Sequence, residues 1–68
     1  MLRLKKDLLA ELAAAGYTAT VIRNEKIMGE AQRTKLRNGK LPSWMILDRI
    51  CELLNCQPGD LIEWVKDE

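Results

Sequence analysis

The sequence contains no histidine and only two cysteines, Cys51 and Cys56. A structural zinc site needs four ligands, usually cysteine and histidine side chains at short spacings, so one chain of this composition cannot form it. The lack of histidine also removes the most frequent general base, and neither a paired nucleophile and base nor a phosphate-binding glycine loop replaces it. The sequence therefore argues against an enzyme, and it indicates no metal, other cofactor or small-molecule ligand.

Long apolar runs are absent as well. The basic N-terminal stretch has the outline of a secretion signal, but Asp7 and Glu11 interrupt the apolar centre that such a signal keeps unbroken. No uncharged run approaches the roughly 20 residues that span a bilayer. We therefore expect a soluble, cytoplasmic protein without membrane contact. Because the cytoplasm is reducing, we also expect Cys51 and Cys56 to be free thiols that pack as small buried apolar side chains.

What the chain does contain is enough for one small domain. Its 68 residues are 47% hydrophobic and 31% charged, which is typical of a soluble globular protein. A domain of this size buries only about 60% of the surface of its unfolded chain, so a deep substrate pocket would remove core that the fold needs. We therefore expect a single domain over residues 1–68 that functions by binding at its surface.

The charges are distributed unevenly along the chain, although the net charge is only +1. Residues 18–40 contain six basic and two acidic side chains, a net charge of +4. Residues 41–68 contain two basic and six acidic side chains, a net charge of −4. This asymmetry favours a polyanionic partner for the middle of the chain, although charged runs also occur on ordinary solvated surfaces.

Apolar side chains at helical spacing predict a helix at the start of the chain. Leu4, Leu8 and Leu12 share one helix face, and Gly16 follows where a left-handed glycine ends such a helix. Thr18 is a suitable N-cap for a second helix, although the β-branched residues that follow it lower the helix propensity.

Three further helices are predicted from turn residues and caps. Gly29 suits a turn into the third helix, and Asn38 and Gly39 end that helix. Ser43 is a suitable N-cap for a fourth helix, and Pro58 fits the first turn of a fifth. The predicted fold is all-α and compact, with five helices over residues 2–15, 19–27, 30–37, 44–54 and 58–65.

The third predicted helix is unusual because it is polar on nearly every side. Between Glu30 and Arg37 only Ala31 and Leu36 are apolar, and such a helix is poorly held unless another molecule uses its surface. Glutamine and asparagine side chains pair with adenine, arginine and lysine pair with guanine, and both cations neutralise phosphates. The composition therefore indicates a helix that enters the major groove of DNA. The alternative is a solvated polar helix in an unrelated bundle.

Four stretches of the chain share the pattern of a known protein family. They are Gly16–Thr18, Ile22–Gly29, Lys35–Gly39 and Leu47–Leu61. With these stretches the chain resembles the compact Cro/repressor-type (XRE-like) helix-turn-helix family from about Leu4 to Val65, and most specifically from Ile50 to Leu61. The resemblance implies a lambda-repressor-like, five-helix DNA-binding domain that regulates transcription in phages or bacteria.

The resemblance also implies which residues contact double-stranded DNA. Glu30, Ala31 and Gln32 would face base edges from the first turn of the recognition helix, and Lys35 would reach bases or phosphate. Asn38 and Lys40 would follow the DNA backbone, and the start of the second helix would meet phosphates of the other strand. The complete predicted site is Thr18, Ala19, Glu30, Ala31, Gln32, Arg33, Thr34, Lys35, Arg37, Asn38 and Lys40.

Three residues depart from the family pattern or have two interpretations. The family usually has an apolar residue at Arg33, so the arginine either lays its stem along the core or turns outward to DNA. Ile27 replaces a small turn residue, so the second helix is expected to extend to it, with a possible shift of the third helix by one residue. Glu30 either favours the helix N-terminus or accepts a hydrogen bond from a cytosine amine.

A domain this small makes few contacts with DNA phosphates. We therefore expect tight binding to DNA to require a second copy of the protein on a palindromic operator. Trp44 either packs against the first helix or joins a dimer contact, and Trp64 is expected to close the core, with a dimer contact as its alternative.

The competing function is a protein-interaction module on the same fold, such as an antitoxin-like or anti-repressor partner. In that interpretation the acidic residues 41–68 dock on a basic protein.

Overall fold

The computed structural model describes residues 1–66, so Asp67 and Glu68 of the acidic segment lie outside the described residues. Within this range the chain forms four α-helices, a short 3-10 helix and a two-stranded sheet. In chain order these are β1 (Leu2–Leu4), α1 (Leu8–Ala14), α2 (Ala19–Asn24), α3 (Glu30–Arg37), α4 (Trp44–Leu54), the 3-10 helix (Pro58–Asp60) and β2 (Ile62–Trp64). The prediction of an all-α fold with five helices is therefore wrong, and it fails at both ends of the chain.

The first helix begins at Leu8 and not at residue 2. Asp7 is its N-cap, with a carboxylate oxygen that accepts a hydrogen bond from Ala10 N at 3.2 Å. The residues before this cap form β1, in which successive side chains point to opposite faces. Because leucines spaced two and four residues apart fit either a strand or a helix, their spacing alone did not reveal the boundary. Gly16 has a φ of 98°, which confirms the predicted left-handed cap.

The last predicted helix, 58–65, is a 3-10 turn followed by a strand. The chain extends through β2 and pairs with β1 in antiparallel register. The paired residues are Leu2 with Trp64, Arg3 with Glu63, and Leu4 with Ile62. The helix prediction failed because Leu61, Ile62 and Val65 have helical spacing, whereas the partner strand is distant in sequence and leaves no local signal.

Among the described residues, nine buried apolar side chains form the core. They are Leu8, Leu12, Ile22, Ile27, Met28, Leu36, Leu47, Ile50 and Leu61. Cys51 and Cys56, which were expected to be buried, are half-buried free thiols packed against this core. Burial and the neighbouring Cys56 raise the pKa of the Cys51 thiol. No helix within residues 1–66 combines the length and the apolar content needed to cross a bilayer.

The two tryptophans lie outside the core. Trp64 was expected to close the core but is 67% exposed, because Leu61 fills that place and β2 continues outward from it. Trp44 is 74% exposed and borders a surface groove with residues such as Leu41 and Ile62. The predicted packing of Trp44 against the first helix is therefore not what the structure has.

Candidate nucleic-acid interface

Helices α2 and α3 are joined by a tight turn with two buried side chains. Helix α2 ends at Asn24, and Lys26 then adopts a left-handed φ of 53°. This conformation lets Ile27 N donate to the oxygen of Ile22 at 3.0 Å and directs Ile27 and Met28 into the core. The predicted extension of the second helix to residue 27 is wrong, because Ile27 anchors the turn in the core.

Helix α3 has the bounds that the sequence predicted, Glu30–Arg37, so its register is not shifted. Gly29 is its N-cap in an extended conformation, and glycine has no side chain to bond the free N–H groups. At the other end Gly39 has a φ of 75° and its N–H donates to the oxygen of Leu36 at 3.1 Å. The predicted stop at Asn38 and Gly39 is confirmed.

Within α3, Leu36 is the one side chain that is fully buried. With 3.6 residues per turn, Ala31, Thr34, Lys35 and Asn38 follow one another along the side of the helix turned away from Leu36. All four are exposed. We refer to these four residues as the outer stripe of α3.

Arg33 lies on the flank of α3 that faces α1 and α2. Its side chain is only 16% exposed and borders a groove with Ala13, Tyr17 and Ile22. Its Nη1 donates to Glu30 Oε2 at 3.1 Å. Of the two sequence alternatives, the structure has the packed one, in which the arginine stem covers apolar surface and the charged end lies beside an exposed carboxylate.

Gln32 lies on the opposite flank, which faces α4. Its Oε1 accepts a hydrogen bond at 2.8 Å from the N–H of Ser43, the residue that caps α4. This bond is partly buried and ties α3 to the start of α4. A bidentate contact with adenine uses both the oxygen and the nitrogen of the amide, and the oxygen is already engaged in this geometry.

Positive charge is concentrated at the C-terminal end of α3. Lys35, Arg37 and Lys40 are exposed. The ion pairs within residues 1–66 join Arg3 to Glu63 and Arg33 to Glu30, and neither includes these three cations. This end of the helix therefore presents a cationic surface to which an anion has access.

The start of α2 lies near the same surface. Thr18 Oγ1 accepts a hydrogen bond from Val21 N at 3.5 Å, which confirms the predicted N-cap. Ala19 is exposed and borders the groove that also includes Arg33 and Arg37. The structure thus brings the α2 part of the predicted site next to the α3 part.

Two basic residues near this surface were missed by the sequence analysis. Lys5 and Lys6 border one groove together with Arg37 and Gly39, and Lys5 also donates to the oxygen of Gly59 at 3.1 Å. The helix predicted over residues 2–15 gave no reason to place these lysines beside α3. The available signal was the cluster of basic residues directly before the Asp7 cap.

Comparison with known proteins agrees with this geometry. A family model described as the Cro/C1-type HTH DNA-binding domain matches residues 5–67. Comparison with curated proteins gives no match, and comparison with solved structures gives none. The family match spans nearly the whole chain, including the turn between α2 and α3. The chain therefore belongs to the Cro/C1-type helix-turn-helix family of DNA-binding domains.

Proposed function

We propose that the protein is a sequence-specific transcriptional regulator of the repressor type that inserts α3 into the major groove of double-stranded DNA. The observation that supports this most directly is the exposed outer stripe of α3. An α-helix with its side chains is about 10–12 Å across. It fits the major groove, which is about 12 Å wide, and not the minor groove, which is about 6 Å wide.

The outer stripe has the chemistry that base edges require. Lys35 can donate to guanine, Asn38 can pair with adenine or bond a phosphate, and the Ala31 methyl group can contact a thymine methyl. Thr34 can bond to several base edges. Glu30 can accept from a cytosine amine, and the Arg33 guanidinium at 3.1 Å lowers its repulsion from phosphates.

The remaining predicted residues have supporting roles in this proposal. Arg37 and Lys40 neutralise phosphates beside the C-terminal end of α3, and Lys5 and Lys6 extend the same cationic surface. Thr18 and Ala19 approach the backbone of the other strand from the start of α2. Gln32 and Arg33 set the angle of α3 through their contacts with α4, α1 and α2.

We further propose that two copies bind one palindromic site. In dimeric helix-turn-helix proteins the half-sites are about 34 Å apart, one turn of DNA. The longest Cα extent of the protein is 40 Å, so two copies at this spacing can touch if their long axes lie along the DNA. A two-fold symmetric operator would then match the symmetry of the protein pair.

The proposal is tested by selecting bound sequences from a random duplex pool with the purified protein. We expect an enriched, two-fold symmetric motif. Affinity for this motif should fall steeply with salt, with a log–log slope of about −0.9 for each phosphate contact. If no sequence is enriched and the salt response is flat, the proposal is wrong and the protein-interaction module becomes the better interpretation.

A further inference from the structure

Both cysteines of the chain lie in the turn that ends α4. Asn55 follows the helix in a left-handed conformation, with a φ of 53°. Cys56 N donates to the oxygen of Cys51 at 3.0 Å, and Asn55 N donates to the oxygen of Glu52 at 3.3 Å. These two hydrogen bonds define a Schellman motif, in which the residue after the left-handed position commonly contacts the residue five positions before it. In α4 the residues at those two positions are the two cysteines.

Two other helices end with the same motif but have apolar side chains at these positions. In α1 the pair is Leu12 and Tyr17, and in α2 it is Ile22 and Ile27, each with the same backbone hydrogen bond. Leu12, Ile22 and Ile27 are buried. In those helices the motif therefore ends the helix with an ordinary apolar contact. In α4 the corresponding pair consists of two free thiols, both half-buried against the core.

The separation of the two cysteines suits a disulfide. The oxygen of Cys51 is two bonds from its Cα, and the nitrogen of Cys56 is one bond from its own. The 3.0 Å hydrogen bond between these atoms therefore keeps the two Cα atoms within about 7 Å of each other. Cysteines joined in a disulfide have Cα atoms about 4.4–6.8 Å apart. Burial and then the neighbouring Cys56 raise the pKa of the Cys51 thiol, so the two thiols are also near enough to influence each other.

We propose that Cys51 and Cys56 form a reversible disulfide by exchange with a small disulfide molecule, which makes the end of α4 a site of oxidative modification. Cys56 borders an open groove of about 390 Å³, together with residues such as Lys6, Ala15 and Asp60. A small molecule in this groove reaches Cys56 without any opening of the core. Cys56 is therefore the thiol that reacts with the incoming disulfide.

The exchange has two steps. In the first, the Cys56 thiolate attacks one sulfur of the small disulfide, whose S–S bond breaks, and one half leaves as a thiolate that takes up the proton given up by Cys56. In the second, Cys51 loses its proton and attacks the Cys56 sulfur of the mixed disulfide, and the other half leaves as a thiol. The two cysteines are oxidised by two electrons, and the small disulfide is reduced to two thiols.

The different surroundings of the two thiols assign them to these two steps. The raised pKa of Cys51 reduces its thiolate fraction, which slows its attack on a molecule in solution. Its own step is intramolecular, and the Schellman motif holds its target beside it. An excess of small thiols reverses both steps, so the pair returns to the free thiols that the structure has.

The test is the exchange equilibrium of the full chain with mixtures of reduced and oxidised glutathione. Acid quenching followed by measurement of the intact mass separates the dithiol, the mixed disulfide and the internal disulfide. In the unfolded chain a short flexible linker gives an effective concentration in the millimolar range. We expect the equilibrium constant for the internal disulfide to be at least about tenfold larger in the folded protein than in urea. An equal or smaller constant in the folded protein would overturn the proposal.

Two substitutions of Asn55 separate the effect of the motif from mere proximity in sequence. Asn55→Gly keeps the left-handed conformation, whereas Asn55→Val opposes it because a β-branched residue rarely adopts a positive φ. Thermal unfolding establishes that each variant is folded. Asn55→Gly should keep the wild-type equilibrium constant, and Asn55→Val should lower it several-fold. Equal constants in the two folded variants would contradict the role of the motif. If Asn55→Val does not fold, the wild-type comparison with and without urea decides.

Single-cysteine variants test which thiol reacts first. Cys51→Ser leaves Cys56 alone, and Cys56→Ser leaves Cys51 alone, so neither variant can form an internal disulfide. We expect Cys51→Ser to acquire glutathione several times faster than Cys56→Ser under the same conditions. Equal rates, or a faster reaction of Cys56→Ser, would overturn the assigned order of the two steps.

Discussion

Helices α3 and α4 have the bounds that the sequence predicted, but different contacts keep them in place. Helix α4 buries Leu47 and Ile50 and begins with a Ser43 side-chain cap. Helix α3 buries Leu36 and has a glycine N-cap without a side chain. Its other attachments are the half-buried Gln32 and Arg33. The contrast indicates that α4 belongs to the scaffold, whereas α3 is attached along a narrow strip that leaves its outer stripe exposed to solvent.

The scaffold role of α4 is tested by Ile50→Ala. Ile50 is a fully buried member of the core, so the truncation should lower the free energy of unfolding by about 2–5 kcal/mol. Urea denaturation measures this loss, and Met45→Ala on the exposed side of α4 is the control, with an expected change within about 0.5 kcal/mol. Equal effects of the two substitutions would remove α4 from the scaffold.

The role of α3 in DNA binding is tested by Lys35→Ala. The side chain is exposed on the outer stripe, so its removal should weaken binding by about 1–3 kcal/mol and leave the free energy of unfolding unchanged. Fluorescence titration with the selected duplex measures the affinity. Lys66→Ala removes the same charge outside α3 and should have a much smaller effect. A similar loss in both variants would mean that overall charge, and not α3, determines binding.

The two ends of α3 respond differently to the same substitution. Gly39 has a φ of 75°, so Gly39→Ser should destabilise the protein by about 1–2 kcal/mol. Gly29 is an N-cap in an ordinary conformation with open space around an added Cβ, so Gly29→Ser should stabilise the protein by a few tenths of a kcal/mol, about the difference between these caps. Urea denaturation of both variants shows the sign of each change. Stabilisation by Gly39→Ser would contradict the left-handed stop.

The attachment of α3 to α4 is tested at Gln32. Gln32→Ala leaves the N–H of Ser43 without its acceptor and should lower the free energy of unfolding by about 0.5–1.5 kcal/mol. Gln32→Glu retains an acceptor oxygen beside the N-terminus of α4 and should restore most of that stability. Denaturation in urea compares the three proteins. If alanine and glutamate are equivalent, the hydrogen bond does not contribute to stability.

The parts of the fold that the sequence predicted correctly are those determined by local signals. The caps at Thr18 and Ser43 and the stop at Asn38 and Gly39 depend on residues within one helical turn, and the structure has each of them. The two ends were predicted wrongly because β1 and β2 stabilise each other across the length of the chain. A strand is recognised in a sequence by the alternation of apolar and polar side chains. Three residues are too few for this alternation to be distinguished from the spacing of a helix.

The candidate site was predictable in composition but not in orientation. Residue type and spacing selected α3, and the family match supports DNA binding. The sequence could not show that Gln32 turns towards Ser43 or that Arg33 lies against α1 and α2, because those contacts depend on neighbours distant in sequence. For the same reason Lys5 and Lys6 were not connected with α3.

The pairing of β1 with β2 also has a consequence for the order of folding. The ion pair between Arg3 and Glu63 joins residues 60 positions apart, so forming the sheet closes almost the entire chain into a loop. We expect the helices to assemble first and the sheet to form late, after the transition state. Contacts that form late slow unfolding more than they speed folding. The small sheet should therefore lengthen the lifetime of the folded protein.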